Sequence, residues 1–467
     1  MKILFVVASD VQEAFDIADA PIGLGFIISF AQSKGHNFSF KVIFSPSFDN
    51  DFTAYSPDLV AISAFSVTYG TACDIARKCK DAAIPCIVGG IHISLLPKSL
   101  SKDFSLGVVG EGEQTFADLL NKFIVGHGWD YDDLKNISGL VYFENELLTI
   151  TPPRPLIENL DDLPFPVDLS AMQTTNRMTA ISSRGCPYRC VFCAPSRLWK
   201  KVRSNSPEYM VKHMENYIQS HPGVHQIKLW DDLFSVNKER LTKFANLCSS
   251  SKILASVKFF VLCRVDSIDE ETIALFKKMN VSDIHLGIES GCQKTLDYIG
   301  KKYTVQKAAS VLNTLSREAF LTEASYIIGF PNESYQDAME TFTFIKKYQK
   351  GLFRVLPLTP LPATPIWDIA LSKGVVSEDA TMEWERLGMV VKGNGHEQFM
   401  NGKFPLVIDA MTREEFSKAF EKIERYRKRL RYFTFVQYFF KQPWRILDFV
   451  HYKYKFLRSK QKVIENI

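Results

Sequence analysis

The chain contains no run of about 18 uninterrupted apolar residues, so a membrane-spanning helix is not expected. Cysteine is scarce: nine in 467 residues are too few for a disulfide scaffold. The opening Met1-Lys2 leads into a short apolar run without a small-residue cleavage site. A secretory leader is therefore not expected, and a reducing cytoplasm is the expected compartment. Nor does the composition show the low hydrophobicity and high charge of disordered chains. At 46% hydrophobic and 23% charged residues it is that of a globular protein, long enough for two to four domains of roughly 100 to 200 residues.

Charge is present but unevenly placed. Residues 425–462 hold 12 Lys or Arg against one acid, Asp448, leaving 44 basic and 51 acidic residues elsewhere. A mildly acidic body thus carries a strongly basic, aromatic-rich tail. Its simplest reading is a helical extension packed on the body. A cationic amphipathic segment at an anionic membrane surface is the second, and a nucleic-acid grip is the least favoured.

In the first 125 residues, short apolar runs (Ile3 to Ala8, Leu59 to Phe65, Cys86 to Gly90, Gly107 to Val109) alternate with helical patterns at Gly23 to Gln32 and Thr71 to Asp81. Such alternation predicts a doubly wound, Rossmann-like α/β domain over 1–130. Ligands of such sheets sit beyond the carboxyl ends of the strands, which makes Ser63, Ser66, Gly89, Gly90, Gly110 and Glu111 candidate binding residues. Residues 131–178, broken by prolines, read as a linker with a small hairpin-like element near Leu140 to Ile150.

A second series follows over 179–366. Strands are predicted at Thr179 to Ser183, Gln226 to Asp232, Lys258 to Asp266, Asp283 to Ser290, Thr322 to Phe330 and Phe353 to Thr359, with helices between them. Six such units suggest a partial (β/α)6 barrel, whose chemistry would gather at the strand carboxyl ends. Residues 367–467 read as a helical region ending in the basic tail.

Directly after the first of these strands comes Arg184-Gly185-Cys186-Pro187-Tyr188-Arg189-Cys190-Val191-Phe192-Cys193. Three thiolates at C-x-x-x-C-x-x-C spacing can converge on one soft metal centre, and three ligands leave one position open. Metal-free thiols and structural zinc with a distant fourth ligand are the bland alternatives; an open-site redox cluster fits the spacing best.

This loop, with Phe192 before its third cysteine, resembles the signature of the radical S-adenosylmethionine (SAM) enzymes. The resemblance implies that Cys186, Cys190 and Cys193 hold three irons of a 4Fe-4S cluster and that SAM chelates the fourth. Reductive cleavage would then give a hydrogen-abstracting 5′-deoxyadenosyl radical. It also implies SAM-binding roles for Phe192, Asp231, Asp232, Arg264, Glu289, Ser290 and Gly329. Of these, Asp231 and Asp232 would accept from the methionine ammonium and Arg264 would match its carboxylate. No residue is singled out as a catalytic acid or base.

The first domain, through Pro21-Ile22-Gly23-Leu24-Gly25, Val88-Gly89-Gly90-Ile91-His92 and Val109-Gly110-Glu111-Gly112-Glu113, resembles the cobalamin-binding domain that precedes the radical module in one large subgroup. None of the nine histidines lies in a D-x-H-x-x-G pattern, so a protein-supplied lower cobalt ligand is not expected. His92 reads as a turn residue. The combined resemblance implies methylation of an unactivated carbon of a small-molecule or lipid substrate, with a flavodoxin- or ferredoxin-type reductant. Radical cyclisation, oxidation or rearrangement without methyl transfer is the alternative within enzymes. A non-catalytic cobalamin or iron-sulfur sensor is the alternative outside them.

Overall fold

The structure, a computed structural model, describes residues 1–9, 19–172, 176–199, 201–318, 320–378, 382–388 and 395–441; the side chains of 395, 396 and 431–441 fall outside that description. The chain divides into two compact units. The first comprises 1–173 with 361–367 and 376–388, and the second 174–360, 368–375 and 389–467.

The first unit is built on a seven-stranded sheet in the order β2-β1-β3-β4-β5-β6-β7. Its strands are β1 Lys2–Val7, β2 Ser39–Phe44, β3 Leu59–Ser63, β4 Cys86–Gly89, β5 Leu106–Val108, β6 Leu140–Glu144 and β7 Leu147–Ile150. β1 to β5 run parallel, whereas β6 and β7 are antiparallel. The interior strand β1 is buried at every position from Ile3 to Val7, as a strand covered on both faces must be. Helices Ile22–Ser33, Tyr69–Asp81 and Gly112–Lys122 lie between strands; Phe116 of the last packs its ring 5.6 Å from that of Phe5.

Two expectations need correction here. β2 was not anticipated, because Ser39–Phe44 at the sheet edge mixes exposed and half-buried residues with a single buried one, Ile43, instead of forming a continuous apolar run. The hairpin near Leu140 is not a linker element: Gly107 pairs with Val141 and Tyr142 is fully buried, so β6 and β7 extend the first sheet.

Residues 361–367 and 376–388, expected with the barrel and the C-terminal region, instead belong to the first unit. Aromatic packing explains this. Trp367 and Trp384 lie nearly parallel with centroids 6.1 Å apart, the Trp367 indole donates to Glu378 Oε1 at 2.9 Å, and Trp384 meets Tyr69 and His92 edge-on.

His92 is completely buried and stacked 4.0 Å from Tyr69. Its Nδ1 pairs with Ser66 Oγ at 3.1 Å and its Nε2 with Ser99 Oγ at 2.9 Å. Burial keeps the imidazole neutral, with a pKa lowered to about 3. Below the ordinary value near 6.5 the unfolded chain takes up a proton that the folded chain refuses, so this contribution to stability is lost as pH falls from about 6.5 towards 3. His92→Gln, which cannot protonate, is expected to lose roughly 3 kcal/mol less stability than wild type between pH 7 and pH 4. Urea unfolding at the two pH values measures the difference.

The second unit carries a six-stranded parallel sheet in the order β15-β14-β13-β12-β11-β8 and a separate antiparallel pair, β9 with β10. The strands are β8 Arg177–Ala180, β9 Ser183–Arg184, β10 Arg203–Ser204, β11 Gln226–Leu229, β12 Lys258–Cys263, β13 Val281–Glu289, β14 Leu321–Ile328 and β15 Leu352–Pro357. The intervening helices open on capping side chains. Ser206, Asn237, Asp269, Thr304 and Ser334 each accept from the backbone N–H three residues on, worth about 1 kcal/mol apiece. These caps start the helices at Pro207, Lys238, Glu270, Val305 and Tyr335 and thereby fix where the preceding strand-end loops stop.

Helix Arg413–Lys441 closes the described chain. Phe416 and Phe420 pack on Phe399, and Tyr426 packs on Phe342 and Phe353. The basic segment therefore begins by packing within its own unit. Its remainder, 442–462, lies outside the described residues. No described helix is long and apolar enough to cross a membrane.

Candidate functional site

The cysteine loop leaves the carboxyl end of β8 and is held by a ladder of acidic side chains. Asp231, buried just past β11, accepts from Ser182 N at 2.6 Å, Ser183 N at 3.1 Å and Ser182 Oγ at 2.5 Å. Burial raises its pKa, while those bonds and the charge of Arg240 oppose the rise. Both carboxylate oxygens are thus engaged in holding the chain between β8 and β9. Asp232 accepts from Gly185 N at 3.0 Å, one residue before Cys186. Gly185 sits at φ +98°, and a Cβ there would lie 2.7 Å from Lys201 O, so only glycine fits this turn.

Within the loop, Cys193 N donates to Cys190 O at 3.2 Å and Ser196 Oγ donates to Cys193 O at 2.8 Å. None of the three cysteines is in a disulfide. Burial raises the thiol pKa of Cys186 and Cys193, and their sulfur neighbours raise it further.

Arg264, which follows β12, is directed at this loop. Its Nη1 lies 3.6 Å from Cys190 Sγ. Asp266 takes Nε at 2.9 Å and Nη2 at 3.2 Å, and Nη2 also donates to Lys301 O at 2.5 Å. The guanidinium carbon is 3.5 Å from the Tyr188 ring centroid. A guanidinium so occupied acts as a clamp on the cysteine loop. This differs from the expected grip on a methionine carboxylate, because nearly all of its donors are already paired.

At the end of β13, Glu289 sits at φ +69°, a left-handed conformation costly for a side-chain-bearing residue. It pairs with Lys301: Nζ to Oε1 is 2.9 Å, with both side chains at most 10% exposed. Lys301 Nζ also donates to Gly287 O at 2.9 Å and lies 5.9 Å from the Phe192 ring. Phe192 in turn tilts against Phe330 at 5.9 Å, so residues from the cysteine loop and from the ends of β13 and β14 converge.

Ser290 turns away from this convergence. It is fully buried, and its hydroxyl pairs with Thr341 at 2.9 Å. Gly329 has φ +97°, and a Cβ there would lie 2.7 Å from the Phe416 ring. Its N–H donates to Glu333 Oε2 at 2.6 Å. Burial raises Glu333 to a pKa of about 7.

The sequence reading did not single out Lys301, Tyr188 or Asp266. Lys301 follows the left-handed Gly300 that ends helix Gln293–Ile299, a signal of helix termination that says nothing of where the next side chain goes.

In the first unit, Gly90 at φ +101° leaves no room for a Cβ, which would meet Ala64 O at 2.7 Å, whereas Gly110 at φ +86° faces open space. Ser63 ends β3 and Gly89 ends β4. Two other candidates are engaged internally. Ser66 holds His92, and Glu111 accepts from Ile157 N at 2.7 Å.

Residues 180–345 match the model of the radical SAM superfamily. This segment is similar to that superfamily. Among relatives, the chain is 28% identical over 408 residues to an uncharacterized methyltransferase of Pyrococcus horikoshii, spanning 83% of this chain and 86% of the relative. It is 24% identical over 327 residues to the anaerobic magnesium-protoporphyrin IX monomethyl ester cyclase of Cereibacter sphaeroides, spanning 67% of this chain and 53% of the cyclase. Its fold is shared with TsrM from Kitasatospora setae, a radical SAM methyltransferase solved with cobalamin and a [4Fe-4S] cluster bound. That match has a TM-score of 0.66 at 18% identity and covers 80% of this chain and 75% of TsrM. The radical SAM match begins at Ala180, the last residue of β8, and therefore takes in the cysteine loop, Arg264, the Glu289–Lys301 pair and Gly329.

Proposed function

We propose that this chain is a cobalamin-dependent radical SAM methyltransferase that acts on an unactivated carbon of a small-molecule or lipid substrate. The observation that carries the reading is the trio Cys186, Cys190 and Cys193 on one glycine-turned loop, facing a clamped guanidinium and a buried Glu289–Lys301 pair. We read the six-stranded sheet as the partial barrel that presents this loop.

The donor set fits an iron-sulfur cluster: three soft, undisulfided sulfurs, one of them 3.6 Å from the Arg264 guanidinium. The raised thiol pKa values of Cys186 and Cys193 are ones that an incoming iron centre would bring down. Cys186, Cys190 and Cys193 would hold the cluster. Asp232 would fix the loop entry, and Lys301 and Glu289 would meet the charged end of SAM, whereas the room left by Gly329 is taken by the Phe416 ring. When bound, the cluster supplies the electron for SAM cleavage and cobalamin supplies the methyl carrier.

The first unit fits a cobalamin held without a histidine of the chain. Its parallel strands follow the order 2-1-3-4-5, an arrangement whose ligands bind beyond the carboxyl ends at the switch point, and Gly110 faces open space there. His92 has both nitrogens engaged and supplies no ligand. The relatives and TsrM support methyl transfer; the cyclase among the relatives supports a second reading, radical cyclisation without it.

Two measurements test the proposal: cobalamin content after anaerobic purification, and S-adenosylhomocysteine formed beside 5′-deoxyadenosine. Both products with bound cobalamin support methyl transfer, and 5′-deoxyadenosine alone favours the second reading. Electrons would come from a low-potential flavodoxin or ferredoxin.

Arg264 gives a separate prediction. An N–H donor to Cys190 sulfur stabilises the more negative, reduced cluster. Arg264→Lys, which loses the planar fork, is expected to lower the midpoint potential by on the order of tens of millivolts, read by an anaerobic redox titration followed by electron paramagnetic resonance.

A further inference from the structure

The parallel sheet of the second unit has one face that is buried throughout and one that is not. Leu229, Val261, Ile284, Leu286, Tyr326 and Val355 point to the buried side. The opposite face is defined by register: Lys228 pairs with Phe260, Leu262 with His285, His285 with Glu323 and Ser325 with Arg354. Paired residues of parallel strands share a face, so these side chains look the same way. At the amino-terminal end the face is shut by Gln226, whose Nε2 donates to Asp283 Oδ2 at 2.8 Å, with both residues buried. Towards the carboxyl ends it opens. Trp230 is 46% exposed, and the Arg354 side chain is 61% exposed. This open end is where the cysteine loop leaves β8.

Two chemically different walls stand on this face. At β11 and β12, Trp230, the residue after β11, stacks with Phe260 at 6.3 Å and 27°, and Lys228 Nζ lies 3.5 Å from the Trp230 centroid. On β13 to β15, His285 Nε2 pairs with Ser325 Oγ at 2.8 Å. His285 Nδ1 lies 3.5 Å from Glu323 Oε2, and Arg354 Nε donates to Glu323 Oε1 at 2.6 Å. Glu323 thus fixes the inner edge of the guanidinium. Among the described residues the two terminal nitrogens of Arg354 have no partner. β12 and β15, which carry Phe260 and Arg354, are three strands apart, about 14 Å along the sheet, a span suited to a fused-ring molecule.

Resting on the methyltransferase reading above, we propose that this face is the substrate site and that its ligand is a planar conjugated carboxylic acid. The ring system lies against Trp230 and Phe260, and the carboxylate takes the free fork of Arg354. Indole and phenyl faces favour flat π systems, and a guanidinium with two parallel N–H groups matches a carboxylate in a bidentate manner.

Calorimetry on the anaerobically assembled chain with three probes tests this: 1-pyrenecarboxylate, its methyl ester and adamantane-1-carboxylate. Binding of the first with affinity about tenfold or more above the other two is expected. Arg354→Gln should remove the preference for acid over ester, and Arg354→Lys should recover only part of it. Trp230→Ala should weaken the planar acid about tenfold, with Trp230→Phe near wild type. Equal binding of acid and ester, binding of the adamantane acid as tight as the planar one, or full acid preference in Arg354→Gln would each overturn the proposal. Selective binding by a chain that never cleaves SAM would sink the methyltransferase reading alone. SAM cleavage without selective binding would sink this one alone.

Discussion

Cys190→Ala protein, assembled anaerobically with iron and sulfide, is expected to release 5′-deoxyadenosine at less than about a hundredth of the wild-type rate, since even the loss of a residue supporting a metal ligand costs 10- to 100-fold. Cys190 is 6% exposed and has Arg264 Nη1 3.6 Å from its sulfur, so no neighbouring thiol can take its place without moving that guanidinium. Arg264 keeps Asp266 and Lys301 O as partners in the variant, and the loop should remain folded. Cys248→Ala is the control. That thiol is equally buried, in helix Lys238–Ser250, and its loss should leave both iron content and product formation at wild-type levels.

Lys301→Met is expected to destabilise the second unit by about 3 to 5 kcal/mol, because it leaves the buried Glu289 carboxylate without its counter-charge. Replacing both residues, Lys301→Met with Glu289→Gln, should recover most of the loss, since the uncompensated charge is gone. Denaturant unfolding of the four proteins gives the coupling energy directly. Both single variants should also bind SAM weakly, and the double variant should not regain that binding. Recovery of stability without recovery of binding separates the pair's role in the fold from its role towards the cofactor.

Much of this architecture was legible in the sequence, because strands buried on both faces, such as Ile3 to Val7, appear as continuous apolar runs and because Ser, Thr, Asp and Asn caps mark where helices begin. Helices Pro207–Ser220, Val305–Arg317 and Tyr335–Tyr348 fall between the predicted strands, where the alternation puts helices. The edge strand Ser39–Phe44 was hidden by its mixture of exposed and half-buried residues, and Leu140–Ile150 was taken for a linker because nothing local says that Val141 pairs with Gly107.

The cysteine trio stands out in the sequence by its spacing alone. The functions of the charged residues around it were not, since they depend on partners far away in the chain. Asp231 is occupied by Ser182 and Ser183, 49 and 48 residues earlier. Arg264 is committed to Asp266 and the cysteine loop. Lys301 becomes a site residue only because helix Gln293–Ile299 ends at Gly300 and returns it to Glu289.

The central claim is that three sulfurs of one loop hold a cluster able to cleave SAM. Its most direct test is wild-type protein assembled anaerobically, with iron and sulfide counted and then SAM and a low-potential reductant added. About four irons per chain and reductant-dependent formation of 5′-deoxyadenosine are the predicted result. A chain that binds iron and sulfide yet leaves SAM intact under strong reductant, or that binds no iron at all, would contradict it.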